Sequence, residues 1–386
     1  MSGWLDAIHR QVRPAELFAL HVQESVREIV ERGNAMTLCT TMSRRRMLAL
    51  GAGSLLGAPS IVRSARSQAR TVYVNSYGGV WETSWKKAFF DPFTAQTGIA
   101  IKTVPGVSFA KLKAQVQTRN YEWNVVNLGD VEYAQAVLEG LLEKVDKSAA
   151  KTDQLPPHMV REFGITSYSL GTNLVYRKDK FPNGGPQSWA DFWDVKKFPG
   201  NRCLYDRSFT CLAYALLADG VPADKLYPMD VDRAFRKMSE LKPHIKTWWR
   251  EGSQSQQLIR DGEVDMIAMW SARAIDLIDD KVPVELVWNG AEIYHANLLV
   301  PKGDPNAKAA WEFCNFVAQA KPQADFAMLL PYGPANPGAR ALMTEARLRQ
   351  TPAWPDNEKV SFQHDAAWIA PRLARIRERW TQWLTT

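Results

Sequence analysis

The stretch Asn124-Val125-Val126-Asn127-Leu128-Gly129-Asp130-Val131, running on through Leu138-Glu139-Gly140, holds a strand, a turn and a helix in succession. Asn124 to Leu128 is a short apolar run that reads as a buried strand. Gly129-Asp130 ends it. Val131 to Glu139 reads as a helix, and Gly140 closes it. A strand passing at once into a helix is a βα unit, and repeated units of this kind make an α/β fold.

The same alternation extends in both directions. Upstream, Thr71 to Asn75 reads as a strand, Ser76-Tyr77-Gly78-Gly79 as a turn, and Glu82 to Thr97 as a helix with Trp85, Phe89 and Phe93 on one side. Ile99 to Val104 is the next strand and Phe109 to Arg119 the next helix. Downstream, Leu174 to Tyr176 is a strand, and Ser188 caps a helix over Trp189 to Trp193. Strands are expected at Arg202–Tyr205, Ile245–Trp249, Val264–Trp270, Val284–Trp288 and Ala296–Val300. Helices are expected at Thr210–Ala218, Asp232–Leu241, Ser255–Arg260, Ala307–Ala320 and Pro322–Leu330, with a helical C-terminal part from Ala366 to Leu384.

Before this region stands Ser43-Arg44-Arg45-Arg46-Met47-Leu48, followed by an uncharged run to Val62 and by Ser67-Gln68-Ala69. A charged head, a short apolar core and a small-residue exit make a cleavable export signal. The run is short for a permanent anchor. The paired arginines are of the twin-arginine type, which implies the twin-arginine export machinery as a partner. The expected signal therefore covers 42–69, with cleavage near Ala69 and a periplasmic product. Residues 1–41 are expected to be an over-extended reading frame or a cytoplasmic extension, and Cys39, placed ahead of the apolar run, is no lipid-attachment site.

Residues 1–69 hold nine arginines, no lysine and five acids, a surplus of four, which leaves +3 of the chain's +7 for the remainder. That charge is too mild for nucleic acid, and no basic stripe interleaved with aromatics occurs. Cys203 and Cys211 could pair in an oxidising compartment, but separate buried thiols are the expectation, along with Cys314, in a chain of this length. The chain shows no GxSxG, no HExxH, no P-loop and no Cys/His cluster with metal spacing. No cofactor is expected. His364-Asp365 reads as a surface or cap pair.

Further signals fall in a fixed order. Val125 to Asp130 is followed by Glu139-Gly140-Leu141-Leu142. Ser188-Trp189-Ala190-Asp191-Phe192-Trp193-Asp194 leads into Lys197-Phe198-Pro199-Gly200. Ala218-Asp219-Gly220-Val221 precedes Lys225-Leu226-Tyr227-Pro228. Then come Gln257-Leu258, Asp261-Gly262-Glu263-Val264-Asp265, Met269-Trp270, Val300-Pro301-Lys302-Gly303 and Tyr332-Gly333-Pro334. This order, over roughly residues 70–340, resembles the spermidine/putrescine-type family of periplasmic solute-binding proteins of ABC importers.

The resemblance implies two α/β lobes of type II topology with the ligand cleft between them: 70–172 and 292–332 in lobe 1, 173–291 and 333–386 in lobe 2. Crossings are expected near Tyr168–Asn173, Gly290–Ala296 and Leu330–Pro337. It implies capture of a small solute by hinge closure, no enzymatic chemistry, an inner-membrane ABC permease as partner, and a monomer. Cleft residues would come from strand ends and helix starts: Tyr77, Gly78, Gly79 and Trp81; Asp130; Asp206, Arg207 and Ser208; Ser255, in a Ser253-Gln254-Ser255 stretch ahead of a helix; Trp270 and Arg273; Tyr294 and Asn297; and Tyr332.

The sequence departs from the polyamine pattern. Polyamine binders need carboxylates around the amines and aromatic rings along the methylenes. Here the segment before the crossing reads Tyr294-His295-Ala296, without an acid, and Arg207 and Arg273 stand near the expected cleft. Arginines and a Gly-Gly turn favour a zwitterionic or anionic solute, with a polyamine as the family default. Tyr77, Trp81, Trp270 and Tyr294 are expected to wall the solute, Arg207 and Arg273 to pair with its anionic group, and Asp130 to hold an ammonium. The rival readings are an exported cofactor-dependent oxidoreductase, which the missing cofactor motifs disfavour, and a ferric-ion binder, which the lack of adjacent tyrosines disfavours.

Overall fold

A computed structural model of the protein describes residues 70–150 and 152–386. The expected signal over 42–69, the 41 residues before it and Cys39 lie outside the described residues. Contacts divide the chain into Met1–Ser64 and Ala65–Thr386, and the description that follows is of the second unit alone.

The first βα units form as their patterns require. β1 (Thr71–Ser76) and β2 (Ala100–Pro105) pair in parallel. Between them run α1 (Gly79–Trp85), a π turn (Lys86–Phe90) and α2 (Asp91–Thr97). α3 (Phe109–Thr118) leads to β3 (Val126–Leu128) and α4 (Asp130–Leu138). Val125 bridges Val74 in parallel, so β3 lies beside β1. The buried Asn75 Oδ1 accepts from the Asn127 N–H at 2.7 Å and satisfies both elements.

β4 (Gly164–Arg177) extends the expected strand at Leu174–Tyr176 ten residues toward the N-terminus. Gly164 to Asn173 is rich in Gly, Ser and Thr, which weakens its strand signal. Several of these polar side chains bond inside the sheet, where Ser167 Oγ donates to the Ala296 carbonyl at 2.9 Å and Asn173 Nδ2 to that of Val287 at 2.9 Å. After α5 (Trp189–Trp193), Ser188 Oγ accepting from the Asp191 N–H at 3.1 Å, come β5 (Arg202–Tyr205), α6 (Ser208–Ala218), α7 (Val231–Leu241) and β6 (Ile245–Trp249). α8 (Gly252–Arg260), β7 (Met266–Trp270) and α9 (Ser271–Asp279) follow.

The two strands expected at Val284–Trp288 and Ala296–Val300 are one, β8 (Val284–Leu299). Asn289-Gly290, which looks like a turn, is instead a bulge. Thr172 pairs with Glu292 and Leu174 with Val287, so the register slips there. α10 (Ala307–Val317), α11 (Ala320–Leu329) and a C-terminal α12 (Leu373–Thr385) complete the main elements. Strand order in the larger sheet is β3-β8-β4-β7-β5-β6, with short strands Val160–Arg161 and Gly333–Pro334 also on β4.

The fold has two lobes with separate cores. One core gathers Trp85, Phe89, Phe93, Trp311, Phe313 and Phe326. The other side holds Trp189, Phe192, Leu212, Tyr214 and Met238, with a satellite of Trp249, Ile259, Ile267 and Leu277. β4 and β8 serve both, since Leu170 and Leu298 enter the first core while Leu174 and Val287 enter the second. The three expected crossings are neighbours: Leu170 pairs with Tyr294, and Ser169 with Gly333. Cys203, Cys211 and Cys314 are separate buried thiols.

Candidate ligand-binding site

The strand ends of both lobes converge on one cleft. β1 leads into Tyr77, β3 into Gly129, β5 into Asp206-Arg207, β6 into Arg250-Glu251 and β7 directly into the helix that carries Arg273, and each is followed by a helix. Loops at the carboxyl ends of parallel strands are where open α/β sheets place ligands. The cleft contains two adjoining chambers, of about 190 Å³ and about 600 Å³, which share Tyr77, Gly129 and Tyr294.

The smaller chamber takes Gly78, Gly79, Trp81, Trp270, Arg273 and Tyr332 from the expected set. Gly78 and Gly79 have φ of 69° and 57°, which side-chain-bearing residues rarely adopt, so the turn requires glycine. Trp81 Nε1 donates to the Tyr168 hydroxyl at 3.0 Å, and Tyr168 stacks on Tyr332 with centroids 4.9 Å apart, which makes one wall rigid. Burial pushes the Tyr332 hydroxyl up to about 12, with Arg273 working the other way, so it stays a neutral donor. Trp270 is held edge-on by Trp249 at 5.4 Å, and its buried Nε1 has no hydrogen-bond partner.

Arg273 is the only cleft cation that, among the described residues, forms no ion pair. Gln256 Oε1 accepts from its Nη1 at 3.4 Å, and Gln256 Nε2 donates to its carbonyl at 3.1 Å. A Cβ added at Gly252 would lie 2.8 Å from Trp270 and 3.1 Å from Arg273 Nε, so the start of α8 packs directly on both. The first turns of α8 and α9 therefore lie beside this guanidinium, and both favour negative charge.

The larger chamber takes Asp206, Arg207 and Ser208. Arg207 lies over the rings of Phe209 and Tyr294, 4.4 and 5.3 Å from their centroids. Its Nη2 is 3.3 Å from both Glu132 oxygens, and its Nη1 3.9 Å from Glu292 Oε1. Burial disfavours its charge, but the two carboxylates outweigh that and hold its proton more firmly than in water. Arg207, expected to meet a solute anion, is thus already compensated by the protein.

Three expected residues line neither chamber. Asp130 is mostly buried, and its carboxylate receives Arg161, the His295 N–H at 2.9 Å and Asn297 Nδ2 at 3.2 Å. Asn297 is fully buried in that network and in the sheet. Ser255 lies inside α8 and not ahead of it, fully buried, with Oγ donating to the Gly252 carbonyl at 2.7 Å. Each has its polar atoms committed locally, which leaves nothing for a solute. The Asp206 carboxylate is likewise taken, by Arg250 and Trp380 Nε1, both at 2.8 Å.

Ser253, from the expected Ser253-Gln254-Ser255 stretch, lines the smaller chamber, and Glu132, Glu251 and Arg377, which were not expected there, also line the cleft. Glu132 falls in the first turn of the expected helix after Gly129 and was legible as a helix start; Glu251 was less so, because α8 begins at Gly252, three residues ahead of the expected start at Ser255. His364, read as a surface residue, is buried, with Nε2 3.0 Å from Glu292 Oε1. Its neighbour Asp365 is a helix cap, accepting from the Trp368 N–H at 2.9 Å.

Comparison with known proteins agrees with this architecture. The family model "Bacterial extracellular solute-binding protein" matches residues 88–360. The chain is 33% identical to the gamma-aminobutyric acid-binding protein of Pseudomonas aeruginosa over 83% of this chain and 92% of that one. It is 21% identical to the spermidine/putrescine-binding periplasmic protein of Escherichia coli, over 72% and 83% of the two chains. Among solved structures, the PBP AgtB from A. tumefaciens R10 in complex with agropinic acid superimposes with a TM-score of 0.76 at 32% identity, covering 82% of this chain and 99% of that one. The likeness to the spermidine/putrescine type therefore holds at the level of family: the chain belongs to the bacterial extracellular solute-binding proteins, the solute-capturing components of ABC transporters.

Proposed function

We propose that this protein captures a small zwitterionic solute of the ω-amino-acid class and delivers it to an inner-membrane ABC permease. The observation that carries the reading is Arg273, a cation in the chamber wall that forms no ion pair among the described residues: its side-chain hydrogen bond goes to the neutral Gln256, and Asp276 acts on it only from beyond ion-pair distance. A carboxylate there would meet the guanidinium and the first turns of α8 and α9. Tyr77, Trp81, Trp270, Tyr294 and Tyr332 supply rings against which a short methylene chain packs. Glu251, exposed and without an ion pair among the described residues, is the acid available to an ammonium. A polyamine would need several free carboxylates, whereas Glu132, Asp206 and Asp130 are each paired with arginine. The similarity to a protein named for gamma-aminobutyric acid supports the same class.

Capture works by closure of two lobes, 70–172 with 292–332 and 173–291 with 333–386, about the β4–β8 crossing, without enzymatic chemistry on the solute. The protein reaches the periplasm by a twin-arginine signal cut near Ala69 and acts there as a monomer. Calorimetric titration with γ-aminobutyrate is the test. Wild-type protein binds, and Arg273→Ala loses roughly 100-fold or more in affinity, because a desolvated carboxylate is left unpaired. Equal affinity in the two proteins would remove Arg273 from the site.

A further inference from the structure

We propose that Glu132 sets the charge selectivity of the cleft. By neutralising Arg207 it leaves Arg273 as the one cleft cation without an ion pair among the described residues, so the site accepts solutes with a single anionic group and rejects dianions. This rests on the reading above, in which Arg273 takes the solute's carboxylate.

The pair sits at the neck between the chambers. Glu132 Oε2 lies 2.9 Å from where a Cβ on Gly129 would be, and the same Cβ would be 3.7 Å from Arg207 Nη2 and 3.7 Å from the Tyr294 ring. Gly129 has φ of −72°, so the glycine there serves close approach and not backbone freedom. Gly129 and Tyr294 belong to both chambers, which places the Glu132–Arg207 contact beside any solute that extends from one to the other. Glu132 comes from α4 and Arg207 from the β5–α6 turn, so the two sides of the cleft each supply one charge.

The charges around the neck balance. Arg377 Nη2 is 3.9 Å from Glu132 Oε1, so Glu132 faces two arginines. Arg207 is held from behind by Glu292, whose Oε1 also meets His364 Nε2 at 3.0 Å and Thr210 Oγ1 at 3.3 Å. Two guanidinium groups thus face two carboxylates, and Glu132 is the one that lines the chamber. A second solute carboxylate reaching the neck would meet Glu132 at close range, in a partly buried setting where like charges repel strongly. A solute ammonium would not.

Neutralising Glu132 without changing its shape reverses this. In Glu132→Gln, Arg207 keeps only the more distant Glu292, and Arg207 and Arg377 present an excess positive charge to the chamber. Titration of full-length wild type and Glu132→Gln with γ-aminobutyrate and with succinate reads the effect directly. The preference is expected to move toward succinate by about tenfold or more. A ratio unchanged within about twofold overturns the proposal. A second probe does not depend on the solute's identity. Sulfate should raise the melting temperature of Glu132→Gln and not that of wild type, and adding Arg207→Gln should abolish the gain. Equal response of wild type and Glu132→Gln, or a gain that survives Arg207→Gln, also overturns it. Wild type that ignores γ-aminobutyrate while Glu132→Gln still gains from sulfate would sink the zwitterion reading and leave this one standing.

Discussion

Asp130 shows how a single residue trades a binding role for a structural one. As an acid at a strand end it reads as an ammonium partner, but Arg161, His295 and Asn297 converge on it from other elements. Burial alone would raise its pKa; the His295 hydrogen bonds and charge, with Arg161, overcome that and hold the carboxyl at about 2. A lowered folded value means that its stabilising contribution is complete above the unfolded value near 4 and is lost as pH falls toward 2. Asp130→Asn should therefore cost on the order of 2 kcal/mol near neutral pH, and the deficit should shrink between about pH 4 and pH 2. Urea unfolding of both proteins across that range is the check, and a deficit independent of pH would contradict the assignment. The buried thiols give a second residue-scale test. Burial pushes Cys203 up to about 12 and raises Cys211 and Cys314 as well, so all three should resist a thiol reagent in native protein and react once it is unfolded. Positions at strand ends and helix starts, such as Tyr77, Gly79, Trp270 and Arg273, were legible because their turns are local in sequence. The compensation of Arg207 was not, since its partners Glu132 and Glu292 come from distant segments.

At the scale of elements, short strands bounded by charged or glycine turns, such as Arg202–Tyr205 and Ile245–Trp249, read correctly to the residue. The long crossing strands did not. Gly164 to Asn173 hides its strand behind polar side chains that bond across the sheet, and Asn289-Gly290 imitates a hairpin turn inside β8. Gly290 repays a closer look. Its φ is 71°, a Cβ there would lie 2.9 Å from the Trp189 ring, and Trp189 Nε1 donates to its carbonyl at 2.7 Å. Gly290→Ala should destabilise the protein by roughly 1–3 kcal/mol, through both backbone strain and overpacking. Denaturant unfolding measures this, and an unchanged midpoint would mean that the bulge tolerates a side chain. Because the bulge adjoins the pairing of Thr172 with Glu292, the same variant is also expected to alter closure and so the rate of solute release.

At the scale of the molecule, the sheet's strand order and the two cores fix where the cleft lies, and the family likeness was readable from ordered short signals spread over most of the chain. What distinguishes a zwitterion cleft from a polyamine cleft is the pairing state of a few charges, which only the assembled fold displays. The central claim is that Arg273, the cleft cation without an ion pair among the described residues, selects the solute. A thermal-shift series on purified protein, with matched four-carbon compounds (γ-aminobutyrate, putrescine and succinate), tests it most directly. A ligand present at a hundred times its dissociation constant adds roughly 2.7 kcal/mol of stability, a shift of a few degrees in a protein of this size. Stabilisation by γ-aminobutyrate and not by putrescine or succinate is the expected result. Stabilisation by putrescine alone would contradict it and return the protein to the polyamine binders.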